Sequence, residues 1–443
     1  YWLKNMLDRL YLFIIAGLIC ICIPSAGQTN GTYGAYSPYS VFGLGEISRE
    51  GTAYNKSMGG VGIASNSRRF VNIMNPASVS VRDSSSFMAD FGIVQKNTIF
   101  RQNDLRSGNN TFNIYNFVIS FPVYRSSALM VGIMPFSDVG YNIRQKQTNQ
   151  DIIGNTGNIT YNTYGEGSVY QLFLGGGATF WKRLSIGAEA IYYFGNLDKV
   201  YNQDFSNTSY ASLKSGYELL VRGVTGKFGL QYQQPLGNDL YMVLGATYRL
   251  KTNMKGHTIY YENKQTDEIV DTLVYNDVLN GRDNDLKIAG EIGVGISVKK
   301  GEKWSAEFNY IRSDWRNSGM DLYDGYGVSG ASSFSSSVSQ SFRAGFEIVP
   351  NRNDIRYYLR RCAYRVGAYY EQAYYKLDGN MVNSMGLTFG VTLPVFRWYN
   401  GLTLGVDVGQ RGSLRTNMVR ERYVSFVIGF NIFDIWFQKP RYQ

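Results

Sequence analysis

Acids and bases recur at alternate positions inside otherwise apolar stretches. The acids are Glu189, Glu291, Glu307, Glu347, Glu371 and Asp407, and the bases are Lys227, Arg249, Lys287, Arg343, Arg365 and Arg411. Carboxylates of this kind could cleave a glycosidic bond if two faced each other across a substrate. A ring of one sign could select ions. Here the two signs balance, which points instead to mutual pairing that stiffens a wall and anchors whatever lies against it. Acyl-transfer chemistry of the triad type needs an imidazole beside its partners, and the single histidine, His257, stands in a polar stretch away from any of them. Metal-ligand spacing is absent from the sequence, the nearest approach being the weakly calcium-like "RDNDL" at 282–286. The expectation is a protein without catalytic residues, metal or cofactor.

Alternation with period two means strands, and the rest of the chain says how many and in what solvent. The 443 residues include 49 Gly, 36 Tyr and 25 Phe but only 9 Pro, and the mean hydropathy is −0.23. Such values rule out a bundle of membrane helices and fit a membrane β-barrel, in which half of each strand faces a polar lumen. About fourteen alternating stretches lie between 86 and 432. In the last of them Val424, Phe426, Ile428, Phe430 and Ile432 share one face, which we assign to lipid. After most even-numbered strands the links are short, as in "WKR", "QPLGND" and "KKGEK". After most odd-numbered strands they are longer and polar, notably 145–167, 196–218, 254–284 and 315–335. That parity is expected of a meander with short periplasmic turns and longer outer loops. Trp181, Trp304, Trp315, Trp398 and Trp436 fall at predicted strand ends, where indole favours the headgroup boundary.

Residues 1–27 read as a secretory signal peptide. Lys4 and Arg9 precede an apolar run from Leu10 to Ile23, and "PSAGQ" supplies small residues for cleavage after Gly27. Beyond it Cys362 is the one cysteine, so no intrachain disulfide is expected. The net charge of +10 does not gather into an aromatic-studded basic segment, which argues against nucleic acid. Much of it falls in predicted turns, facing phospholipid headgroups. The expected location is the outer membrane of a Gram-negative bacterium, reached through barrel-assembly machinery that reads the C-terminal alternation.

Residues 28–85 do not alternate, yet Val41, Phe42, Leu44, Met58, Val61, Ile63, Phe70, Val71, Ile73 and Met74 need burial. A barrel spanning 86–443 offers that burial in its lumen. Two short motifs stand out in this segment: Met58-Gly59-Gly60-Val61-Gly62-Ile63-Ala64, and Asn75-Pro76-Ala77. With about fourteen strands following, the chain resembles the FadL-type family of outer-membrane transporters for hydrophobic compounds. The resemblance implies an N-terminal hatch, 28–85, plugging the barrel, with Gly59, Gly60, Gly62, Asn75, Pro76 and Ala77 as its motif residues.

Pro135 is the one proline inside a predicted strand, the third. It cannot donate to the ladder, so the wall should bulge there. By the same resemblance Pro135, Phe136, Ser137 and Asp138 would form a lateral exit toward the membrane. Two functions stay open on this reading. One is passive uptake of a small hydrophobic molecule; the other is an accessory barrel subunit of an outer-membrane protein secretion or assembly complex.

Overall fold

The computed structural model describes residues 35–435 apart from 83–85, 125, 208, 255–257, 266–269, 276–285, 323–332, 396–400 and 415–417. The expected signal peptide, His257, Trp398 and Trp436 therefore lie outside the described residues. Fourteen antiparallel strands close into a barrel. They are β1 Ser86–Gln102, β2 Leu105–Tyr124, β3 Ser127–Lys146, β4 Ile159–Phe180, β5 Leu184–Phe205, β6 Ser212–Gly237 and β7 Leu240–Arg249. The ring continues with β8 Glu291–Lys300, β9 Trp304–Asp314, β10 Val338–Ile348, β11 Ala363–Leu377, β12 Asn380–Pro394, β13 Gly401–Arg411 and β14 Arg420–Ile435.

Each strand pairs with its sequence neighbour, and β14 pairs with β1 from Ser86↔Ile435 to Arg101↔Arg420. The ring closes as a sheet inside hydrocarbon must, but β2 and β3 pair only from Phe117↔Ile133 to Tyr124↔Ser127, so their upper parts, 105–116 and 134–146, are not laddered to each other. Alternation holds along the closing strand: Phe426, Phe430 and Ile432 are exposed, whereas Tyr423, Val427 and Asn431 between them are buried. Tight turns at one end carry residues that accept positive φ, such as Asn238 (50°) and Asp239 (59°) between β6 and β7. Barrels of this kind keep such short turns on the periplasmic side. Two outer links are also tight: β1 and β2 meet at Asn103–Asp104, and β11 and β12 at Asp378–Gly379.

The wall is uneven. Strands β7 to β10 have 10 or 11 residues, enough to cross a membrane at a tilt, but β4, β5 and β6 have 22, 22 and 26. The excess of roughly ten residues lifts one side of the outer rim by ~25 Å. A hairpin, Thr258–Gln265 with Val270–Tyr275, adds to it by pairing with the upper part of β6.

Residues 35–82 run through the inside of this ring. They form short elements only: a 3-10 turn Pro38–Val41, a two-residue strand Glu46–Ile47, one helical turn Ala53–Lys56 and a second 3-10 turn Pro76–Ser80. Leu44, Met58, Val61, Ile63, Val71, Ile73 and Met74 are buried among them and the wall. The wall makes room with glycine on its inward face. A Cβ at Gly187 would lie 2.3 Å from the Pro76 backbone, at Gly245 2.2 Å from the Ile63 carbonyl oxygen, and at Gly367 2.2 Å from the Gly59 nitrogen. These positions, on β5, β7 and β11, lie on opposite sides of the ring, so the segment 58–77 fills its width.

Candidate functional site

Three charged residues of the N-terminal segment reach three parts of the wall. Glu46 pairs with Lys96 of β1 (3.1 Å) and Arg411 of β13 (2.9 Å). Arg49 lies between Glu371 of β11 (3.3 Å) and Asp407 of β13 (3.2 Å), donates to the Tyr423 hydroxyl (3.2 Å), and stacks 3.7 Å above the Tyr369 ring. Glu50 accepts from Lys227 of β6 (2.6 Å) and Arg249 of β7 (3.1 Å), and Arg249 also holds Glu291 of β8 at 3.1 Å. On the segment, outside the spanning strands, burial alone would raise both carboxyls. Arg411 and Lys96 nevertheless hold Glu46 well below the carboxylate range, and Lys227 and Arg249 lower Glu50. Lys56, whose ammonium donates to the Arg49 carbonyl at 2.9 Å, is pushed down to about 7 by burial, with Arg49 beside it adding to the effect.

The other wall charges expected from alternation serve the same segment. Arg343 donates to the Gly60 carbonyl (3.1 Å) and pairs with Glu371 (2.9 Å). Glu307 accepts from the Ala64 nitrogen at 2.9 Å. Arg365 pairs with Glu347 at 2.7 Å and lies 4.3 Å from the Tyr54 ring centroid. Glu189 stands opposite Lys227 in the β5–β6 ladder. Lys287 does not belong with them. It forms a two-residue rim ladder with Asn253, because β8 begins only at Glu291.

The two short motifs are bonded to each other. Asn75 donates to the Ile63 carbonyl at 2.7 Å while its own oxygen caps the Pro76–Ser80 turn through the Ala77 nitrogen at 3.0 Å. Gly59 and Gly60 have φ of 74° and 76°, a region costly for any residue with a Cβ. Their backbone is fastened by Gly59 N–H to the Thr388 hydroxyl at 2.7 Å. Gly62 accepts from Asn72 at 2.6 Å.

Around Pro135 the β3–β4 register shifts between Pro135 and Ser137, as a ladder-breaking residue requires. The backbone freed there meets the segment: Glu46–Ile47 pairs antiparallel with Asp138 and Ser137, and the Ser48 nitrogen donates to the Phe136 carbonyl at 2.9 Å. Asp138 accepts from Ser168 (2.7 Å) and Ser48 (3.2 Å). The bulge is thus covered from inside.

Among the tryptophans, Trp181 is 84% exposed in the β4–β5 turn, and Trp304 opens β9 stacked on Phe346. Trp315 corrects the expectation for it. It is 2% exposed, with its ring 5.0 Å from that of Tyr374, because the chain turns over the lumen after β9 instead of passing along the lipid boundary.

Sequence reasoning missed Arg49, Glu50, Lys56, Lys96, Lys199 and Glu421. Lys199 donates to the Val41 and Gly43 carbonyls at 2.7 and 3.2 Å, and Glu421 accepts from Ser37 and lies 3.6 Å from Arg411. A signal existed for the first two: "REG" places opposite charges side by side in a stretch that must be buried. One cavity between segment and wall, of about 160 Å³, is lined by Arg49, Glu50, Arg249, Glu291, Arg343 and Glu371 and equally by apolar side chains, among them Ile63, Met74, Phe136, Ile311 and Trp315.

A family model described as BamG matches residues 7–443. Among curated proteins none matches. Several solved structures share the fold. The toluene transporter TodX of Pseudomonas putida aligns with a TM-score of 0.61 at 16% identity, covering 88% of this chain and 100% of its own. The Ralstonia pickettii toluene transporter TbuX gives 0.56 at 15%, covering 86% and 98%. A FadL homologue from Pseudomonas aeruginosa gives 0.51 at 9%, covering 88% and 99%. At these identities the likeness is one of fold, the FadL-type barrel.

Proposed function

The chain belongs to the BamG family, and from that premise we propose that it is a non-transporting accessory barrel of an outer-membrane protein assembly complex. The observation that carries this reading is the clamped lumen. Removing one partner of a buried ion pair strands the other charge and costs about 3–5 kcal/mol. Three clusters, at Glu46, Arg49 and Glu50, tie the segment to β1, β6, β7, β11 and β13, so its release would have to break all three together. One cavity between segment and wall mixes apolar side chains such as Ile63, Phe136 and Trp315 with Arg49, Glu50, Arg249 and Glu371, and an apolar guest reaching those charges would strip them of solvent and partners. The family's Bam label, that of barrel-assembly components, agrees with this role.

A second reading is favoured by the fold shared with TodX and TbuX and by the bulge at Pro135: uptake of a small hydrophobic compound, with the N-terminal segment as hatch and release sideways past Pro135–Asp138. One pair of measurements separates the two. Gentle detergent extraction is expected to bring down a stoichiometric barrel or periplasmic partner, and depletion to lower the amounts of other outer-membrane barrels. Vesicles containing the isolated protein are expected to take up toluene no faster than empty ones, with Pro135→Ala making no difference. Toluene flux that depends on Pro135, with no partner recovered, would overturn the accessory role.

A further inference from the structure

The outward face of the barrel carries an arginine row on the side where β1, β2 and β14 meet. Arg101 lies directly opposite Arg106 on β2 and directly opposite Arg420 on β14, and Arg422 follows two positions below Arg420 on the same face. Arg101, Arg106 and Arg422 are exposed and Arg420 is half-buried. Like charges set opposite one another in a ladder destabilise it. Among the described residues none of the four is in an ion pair; Arg422 donates to Gln410 at 3.1 Å and Arg101 to the Asn103 carbonyl at 3.4 Å. Asp104 in the adjoining turn does not neutralise them.

Their height matters. On β14 the outward positions below them are Val424, Phe426, Ile428, Phe430 and Ile432, so the arginines begin where the apolar band ends, on the side opposite the periplasmic turns. That is the headgroup level of the outer leaflet. Immediately beside Arg422 a groove of about 760 Å³ runs down the lipid face, lined by Ile99, Met385, Leu387, Val408 and Val424, with Asn97 and Gln410 at its rim. Adjacent strands are ~4.8 Å apart, so Arg106, Arg101 and Arg420 span about 10 Å. Three guanidinium groups in that row, with Arg422 a fourth, offer more paired N–H donors than the oxygens of one phosphate can accept, and two phosphates on one headgroup match them better, each accepting bidentate bonds.

We propose that this surface binds a multiply phosphorylated, multi-acyl glycolipid of the outer leaflet, its phosphates on Arg101, Arg106, Arg420 and Arg422 and an acyl chain in the groove. The inference does not depend on whether the lumen transports. It is tested with the full chain in detergent, by native mass spectrometry against bisphosphorylated lipid A, its dephosphorylated form and phosphatidylglycerol. Bisphosphorylated lipid A is expected to be retained in preference to the other two. Arg101→Gln/Arg420→Gln/Arg422→Gln is expected to weaken that retention about tenfold or more, charge-assisted bonds being lost, while the barrel keeps its heat-modifiable mobility. A control pair in a periplasmic turn, Lys300→Gln/Lys303→Gln, is expected to change nothing. Undiminished lipid A binding by the triple variant overturns the proposal. So does equal retention of phosphatidylglycerol, or loss of a protein partner with lipid binding intact.

Discussion

Arg49→Ala tests the clamped lumen most directly. The substitution removes two ion pairs, a hydrogen bond to Tyr423 and the stacking on Tyr369. Stranding a fully buried partner costs about 3–5 kcal/mol, but two features reduce that here. Glu371 keeps Arg343 at 2.9 Å and Asp407 keeps the Tyr369 hydroxyl at 2.7 Å, and side-chain exposures of 23%, 18% and 14% for Arg49, Glu371 and Asp407 admit some water. Adding about 1 kcal/mol for the lost cation–π contact leaves a net of about 3 kcal/mol. That corresponds to roughly a hundredfold rise in the fraction of molecules with this stretch released. Amide hydrogen exchange of the protein in detergent reads it: residues 46–50 are expected to lose protection by that factor while the barrel strands hold theirs. A change below about threefold with the barrel intact would refute the claim that these ion pairs fasten the segment.

Gly187→Val would push a side chain into the Pro76 backbone, 2.3 Å from where its Cβ would lie, so the segment must shift or the barrel fail to close; the yield of heat-modifiable barrel is expected to drop. Lys199→Met leaves the Val41 and Gly43 carbonyls without their donor, at a cost of about 1–3 kcal/mol; exchange should quicken at 41–45 and stay unchanged at 57–77. Acid should act through Glu46 and Glu50. Their carboxyls are held below the ordinary value of 4.5, so the stability they contribute is present above that pH and is lost as pH falls through it toward their lowered values. Exchange measured down to pH 3 or so should show 46–50 loosening first, and simultaneous loss along the whole chain would contradict this.

The membrane-crossing part of each strand was legible because lipid outside and a polar interior impose opposite demands at successive residues, as along Val424 to Ile432. Higher up, β5 and β6 have water or polar groups on the outer face, so Asn196 to Phe205 carries no such contrast and reads as a loop although it continues the strand. Trp315 was misplaced for a related reason. A tryptophan at a strand end has two apolar destinations, the lipid boundary and the lumen core, and periodicity does not distinguish them. The inward charges could be found from alternation, but their partners could not. Arg49 and Glu50 lie in a stretch with no period, and what they touch is decided by strands 177 to 374 residues away.

Fold likeness to hydrocarbon transporters and membership of the BamG family pull the functional reading in different directions, and the accessory role proposed above rests on how the plug is held. A transporter needs its plug to move often, which limits how strongly it can be held: a stimulus can shift an equilibrium only by its differential affinity for the two states. An apolar solute that makes no charged contacts has little with which to displace Glu46, Arg49 and Glu50 from their partners. A barrel whose work lies at its surface has no such limit, and every added ion pair or glycine-lined contact makes it a stiffer scaffold. The outer rim, raised by ~25 Å on one side only, is the kind of feature such a scaffold can present to a neighbour.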